Sequence, residues 1–61
     1  MRDPERIDRI IEKFTYIWKN PEITDQRFCQ LYVNLFGRED NFYVEDDEVE
    51  KRLDEVINLG F

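Results

Sequence analysis

Ile7, Ile10, Ile11, Phe14, Ile17 and Trp18 recur at three- and four-residue intervals along the first third of the chain. On a helical wheel they occupy an arc of about 100°, the width of one core-facing stripe. The pattern predicts an amphipathic first helix. Asp3 supplies the capping oxygen, Pro4 fits a first helical position, and Pro21 disfavours helical backbone at Asn20, so the helix should end near Lys19. A second helix should open with Thr24 as cap, with Ile23 and Phe28 packing together as a hydrophobic staple, and close at Gly37. Its apolar residues, Phe28, Cys29, Leu31, Tyr32, Val33, Leu35 and Phe36, cover about 200°. That arc predicts burial on two sides, with Gln26, Arg27, Gln30 and Asn34 marking the solvent side.

Residues 38–44 read as a turn followed by a short extended aromatic segment, Phe42-Tyr43-Val44, lying across the helices. A third helix begins in the acidic run, with Asp46 or Asp47 as cap and, for Asp47, Glu50 as capping-box partner. Val49, Leu53, Val56 and Ile57 form its stripe, and it ends near Gly60. Phe61 is expected to fold back and seal the bundle. The fold expected is therefore all-α: one domain, 1–61, a small three-helix bundle with helices over about 4–19, 25–36 and 47–59. The double-faced second helix has two solutions. Either it is central in a monomer, or its second face meets a copy of itself in a homodimer through helix two.

Composition limits the chemistry. In 61 residues there are nine basic and fifteen acidic side chains, a net charge of −6, one cysteine, no histidine and nine aromatics. A chain this short buries only about 60% of its unfolded surface, so it needs dense packing or association. A single cysteine forms no internal disulfide, and Cys/His zinc sites lack ligands. No apolar run approaches the length of a membrane span, and the charged start does not resemble a signal peptide, so a cytoplasmic protein without a membrane segment is expected. The charge is uneven: the first twenty residues carry a net +1, the middle third −2 and the last twenty −5. An acidic field disfavours nucleic acid and favours basic partners.

The candidate sites follow from that charge. Glu45, Asp46, Asp47 and Glu48 crowd the start of the third helix; they lack the alternating carboxylates and glycine of a calcium loop, so no metal is expected, and they either cap the helix or pair with a basic protein. Cys29 has no histidine to activate it, so it is read as a buried small hydrophobe. No catalytic residues and no cofactor are assigned, and the chain is read as not an enzyme. Tyr16 lies opposite the apolar stripe of the first helix and, with Tyr43, is a candidate binding anchor. The alternative is a helix-turn-helix-like DNA-binding regulator reading through Gln26, Arg27, Gln30 and Asn34, side-chain types that recognise base edges. Against it stand the net charge and the few flanking lysines.

The start Met1-Arg2-Asp3-Pro4-Glu5-Arg6-Ile7-Asp8-Arg9-Ile10, Trp18 and Pro21, then Gln30-Leu31 and Phe42-Tyr43-Val44-Glu45-Asp46-Asp47-Glu48, resemble a family of very short uncharacterised proteins of Gram-positive bacteria and their phages. The resemblance spans most of the chain. It implies a cytosolic accessory protein that binds a host or phage protein, and it brings no activity, cofactor or catalytic residue. The leading expectation is an accessory or inhibitory binding module. Glu45, Asp46, Asp47, Glu48, Tyr16 and Tyr43 would face a partner with a basic surface.

Overall fold

Three helices carry the chain: α1 (Glu5–Trp18), α2 (Phe28–Phe36) and α3 (Asp46–Leu59). They form a small all-α bundle. The computed structural model describes residues 3–60, and among these there is no strand. The sealing role expected of Phe61 lies outside the described residues.

The α1 start differs from expectation by one position: Pro4, not Asp3, is the N-cap residue and makes no side-chain cap bond, while the Asp3 carboxylate just before it accepts the Glu5 N–H at 2.9 Å, one of the amides that a helix leaves unpartnered at its first turn. The close pair in the bundle is α1 with α3. Ion pairs join Arg6 to Asp46, Arg9 to Glu50, and Lys13 to both Glu50 and Asp54. Partner numbers rise together along both helices, so α1 and α3 run parallel. Any parallel neighbour pair needs a return leg between them, and here α2 supplies it.

The second helix departs from expectation at its start. Thr24 does not cap it; residues 19–26 form consecutive turns closed by Ile23 N–H to Asn20 O and Gln26 N–H to Ile23 O, both 3.0 Å. Trp18 explains the delay, because its indole N–H donates to the Gln26 carbonyl at 2.9 Å. That bond ties the connection to the end of α1. Arg27 is extended at the N-cap, and the Gln30 side chain reaches back to accept its N–H at 3.4 Å. With the cap at Arg27, Ile23 and Phe28 no longer occupy staple positions. Phe28 instead sets its ring against Phe14 and Trp18, with centroids 5.4 and 5.6 Å apart, while Ile23 is buried in the core. Gly37 ends α2 at φ 82°, a conformation that suits glycine, and its N–H bonds to Val33 O at 2.7 Å.

The core consists of Ile17, Ile23, Leu31, Leu35 and Leu53, with Leu31 and Leu53 fully enclosed. Ile10, Phe14, Trp18, Phe36, Val49, Val56 and Ile57 pack around it. Only Leu31 and Leu35 of α2 are buried. The expectation of burial on two sides of helix two therefore fails within one chain, and Cys29, expected inside, is exposed. A nine-residue helix beside a pair of fourteen-residue ones buries one face in the core, and of its other apolar residues Phe28, Cys29 and Tyr32 remain exposed.

The enclosed side chains should dominate stability. Leu53→Ala should lower unfolding free energy by about 2–5 kcal/mol, since it removes a fully buried side chain and leaves a cavity. Tyr43→Ala should change it by less than about 0.5 kcal/mol, because the ring is exposed. Chemical denaturation followed by far-UV circular dichroism checks both; equal losses in the two variants would contradict the assigned core.

Candidate functional site

The third helix starts at Asp46, with Glu45 as its N-cap residue in extended conformation. Neither Asp46 nor Asp47 caps it through the side chain, which corrects the capping-box expectation. The reason is competition from α1. Asp46 pairs with Arg6, and Glu50 accepts from Arg9 at 3.1 Å and from Lys13 at 2.6 Å. Cross-helix cations have taken both carboxylates. Asp47 turns to the next residue, accepting the Glu48 N–H at 2.8 Å.

Parallel packing gives the acidic cluster a structural role. The positive ends of the α1 and α3 macrodipoles lie at the same end of the bundle, where Glu5, Asp8, Asp46, Asp47 and Glu48 occupy the first turns. Carboxylates there offset both dipoles. Further along, Lys13 and then Arg9, donating to Glu50, hold its carboxyl below the usual carboxylate range. Asp54 and then Glu50 raise the Lys13 ammonium above its ordinary value.

Immediately before the acidic run, Phe42 and Tyr43 do not form an extended segment across the helices. They occupy a turn in which Val44 N–H donates to Asn41 O at 3.1 Å and Phe42 N–H to the Asp40 carboxylate at 3.0 Å. The Asn41 amide donates to Glu39 O at 3.0 Å and Phe36 O at 3.4 Å, anchoring the turn to the end of α2. Polar residues at 40 and 41 satisfy the backbone locally, so the aromatics project outward. Phe42 is 81% and Tyr43 84% exposed, their rings edge-to-face with centroids 4.9 Å apart. Their chain neighbours Asn41 and Val44 line a cleft of about 110 Å³ together with Tyr32, Phe36 and Val49.

The six expected partner-binding residues thus divide. Tyr43, Glu45, Asp46, Asp47 and Glu48 share one end of the molecule, with Asp46 engaged to Arg6. Tyr16 is 69% exposed but sits ten residues beyond Arg6 on α1, about 15 Å along the helix axis from the Asp46 level. It belongs to the opposite end. Phe42 joins the site, and its adjacency to Tyr43 ahead of the acidic run was the signal for it. The basic and acidic rows were also visible as spacings, Arg6/Arg9/Lys13 and Asp46/Glu50/Asp54, each at helical intervals.

The strip considered for base reading is largely engaged internally. Gln26 and Arg27 precede α2, and the Asn34 amide donates to Gln26 Oε1 at 2.8 Å. Among the described residues no group of three or more Cys, Asp or Glu is placed to hold a metal. No helix there is long and apolar enough to cross a membrane. Comparison with protein-family models, with curated proteins and with solved structures gives no match.

Two outcomes follow. A thiol reagent should label Cys29 rapidly in the folded protein, at a rate close to that in denaturant; strong protection would contradict its exposure. Because Glu50 titrates below its unfolded value, its stabilising effect is present above about pH 4.3 and is lost as pH falls through the lowered folded value. Glu50→Gln should therefore be less stable than wild type at neutral pH, with the gap closing in acid. Thermal melts across that range would reveal a constant gap if the pairing is unimportant.

Proposed function

We propose that this chain is a small acidic accessory protein of the cytoplasm, acting by protein–protein contact without catalysis, in keeping with the family resemblance of its sequence. The partner surface comprises Phe42 and Tyr43 with Glu45, Asp47 and Glu48, and it takes a protein with a basic surface. One observation carries this reading: two adjacent aromatics stand almost fully exposed on a turn that is hydrogen-bonded on both sides. Large rigid rings contribute contact area at little entropic cost when their backbone is already fixed. The carboxylates beside them add steering toward lysine and arginine, an effect that weakens with salt. Tyr16 lies on a separate surface and takes no part in this one.

The second reading, a DNA-binding regulator, rests on Arg27 and Gln30, both exposed beside the start of α2. The net charge of −6 opposes it.

Affinity capture from bacterial cytosol tests the proposal. The wild-type chain should retain a protein with a basic surface in a salt-sensitive manner. Phe42→Ala/Tyr43→Ala and Asp47→Asn/Glu48→Gln should each reduce that retention about tenfold or more. Undiminished retention by both variants would sink the assigned surface. A low-salt gel shift with mixed DNA fragments separates the regulator, which alone predicts retarded bands.

A further inference from the structure

The apolar stripe of α1 is only half covered. Its Ile10 and Ile17 edge faces the core, and Phe28 lies over Phe14 and Trp18. Toward the start of the helix, Ile7 and Ile11 are left 52% and 59% exposed. Phe28 itself is 53% exposed on its outer side. The result is a stepped surface: a low apolar shelf at one end of α1 and a raised ring at the other.

We propose that a second copy of this chain docks on that surface, α1 against α1 in an antiparallel pair about a two-fold axis. In that arrangement the Phe28 ring of each copy sits on the Ile7–Ile11 shelf of the other. A two-fold contact requires a patch complementary to itself, and the step meets that requirement because its high and low ends exchange.

The charges along the stripe agree. Asp8 on α1 and Lys19, the residue at its C-cap, fall about 20° apart on the helical wheel and so on one flank, and neither makes an ion pair among the described residues. Antiparallel pairing centred between them sets Asp8 of each copy opposite Lys19 of the other, giving two new pairs. Glu12 on that flank then faces uncharged Thr15. The other cations of α1, Arg6, Arg9 and Lys13, are committed to α3 on a different side.

Net charge favours this face over others. Two chains of −6 each repel, but antiparallel pairing sends their acidic α3 starts to opposite ends of the assembly. The face on α2, where the sequence pointed for a homodimer, is partly occupied by the chain's own turn: Asn41 donates to the Tyr32 hydroxyl at 3.3 Å, and Val44 shares a cleft with Tyr32 and Phe36. The α1 surface uses Ile7, Ile11 and Phe28 and none of the residues of the partner surface above, so the proposal stands independently of that reading.

Equilibrium sedimentation of the full chain over a range of concentrations is the test, with circular dichroism to verify folding. Wild type should reach a dimer mass. Ile7→Lys/Ile11→Lys, changing residues already more than half exposed, should be monomeric with unchanged helicity. Lys19→Glu should weaken association about fivefold or more through two symmetric pairs, and Asp8→Lys/Lys19→Glu, which exchanges the charges, should restore it. A monomer mass for wild type at every concentration overturns the proposal. So does a dimer that survives the isoleucine substitutions, or charge variants whose association ignores the exchange.

Discussion

The parallel alignment of α1 and α3 constrains everything else in this molecule. Two helices that point the same way cannot be joined by a tight turn, so the chain must climb α1, return, and begin α3 beside the start of α1. The return leg is α2 with its connections. Fourteen residues of α1 rise about 21 Å, whereas nine residues of α2 cover about 14 Å. The remainder of the return is made in turns, fixed by the Trp18 indole at one end and the Asn41 amide at the other. A cover shorter than what it covers leaves apolar surface bare at one end. That is why Ile7 and Ile11 are exposed although they belong to the most regular stripe in the chain.

Register between the parallel pair needs a specification that hydrophobic contact alone provides poorly, since sliding one helix by a turn exchanges one isoleucine or leucine for another. The rows Arg6/Arg9/Lys13 and Asp46/Glu50/Asp54 provide it. Pairs at this degree of exposure add little stability each. A slip by one turn, however, would leave an end of the ladder unpaired, so their effect is on which alignment is chosen. The same alignment places two positive helix ends together, and the carboxylates of both first turns answer that concentration of partial charge. Part of the acidity at the start of α3 is therefore a consequence of topology, and Asp46 is the residue where the fold takes precedence over any partner.

How far the sequence revealed this differs by element. The existence of all three helices and the ends of α1, α2 and α3 were legible, because periodic apolar positions and the Gly37 and Gly60 stops are local signals. The start of α2 was not. Thr24 has cap chemistry, but a tertiary bond from Trp18 to Gln26, eight residues away, holds the segment in turns. Cys29 was misplaced for a related reason: counting an apolar arc assumes that something covers each part of it, and the chain has too few residues to do so. Phe42 and Tyr43 read as strand-like by composition, yet Asp40 and Asn41 bond the backbone into a turn that turns the rings outward. Of the candidate site, the acidic run and Tyr43 were visible, while the separation of Tyr16 depended on helix direction, which no periodicity encodes.

Small size and exposed apolar surface are linked here by geometry. Among the described residues five hydrophobic side chains are buried, and Ile7, Ile11 and Phe28 contribute less than they could because half of each remains in water. Covering them would add apolar burial at about 25 cal/mol per Å² without requiring any change in the fold. A longer α2 could have done so internally, but α2 begins only after the turns that Trp18 holds and ends at Gly37, before the turn that carries Phe42 and Tyr43. Lengthening the helix at either end would dismantle one of those two features. The exposed shelf on α1 is thus tied to the display of the aromatic turn, and covering it from outside, by another surface, is the solution that preserves both.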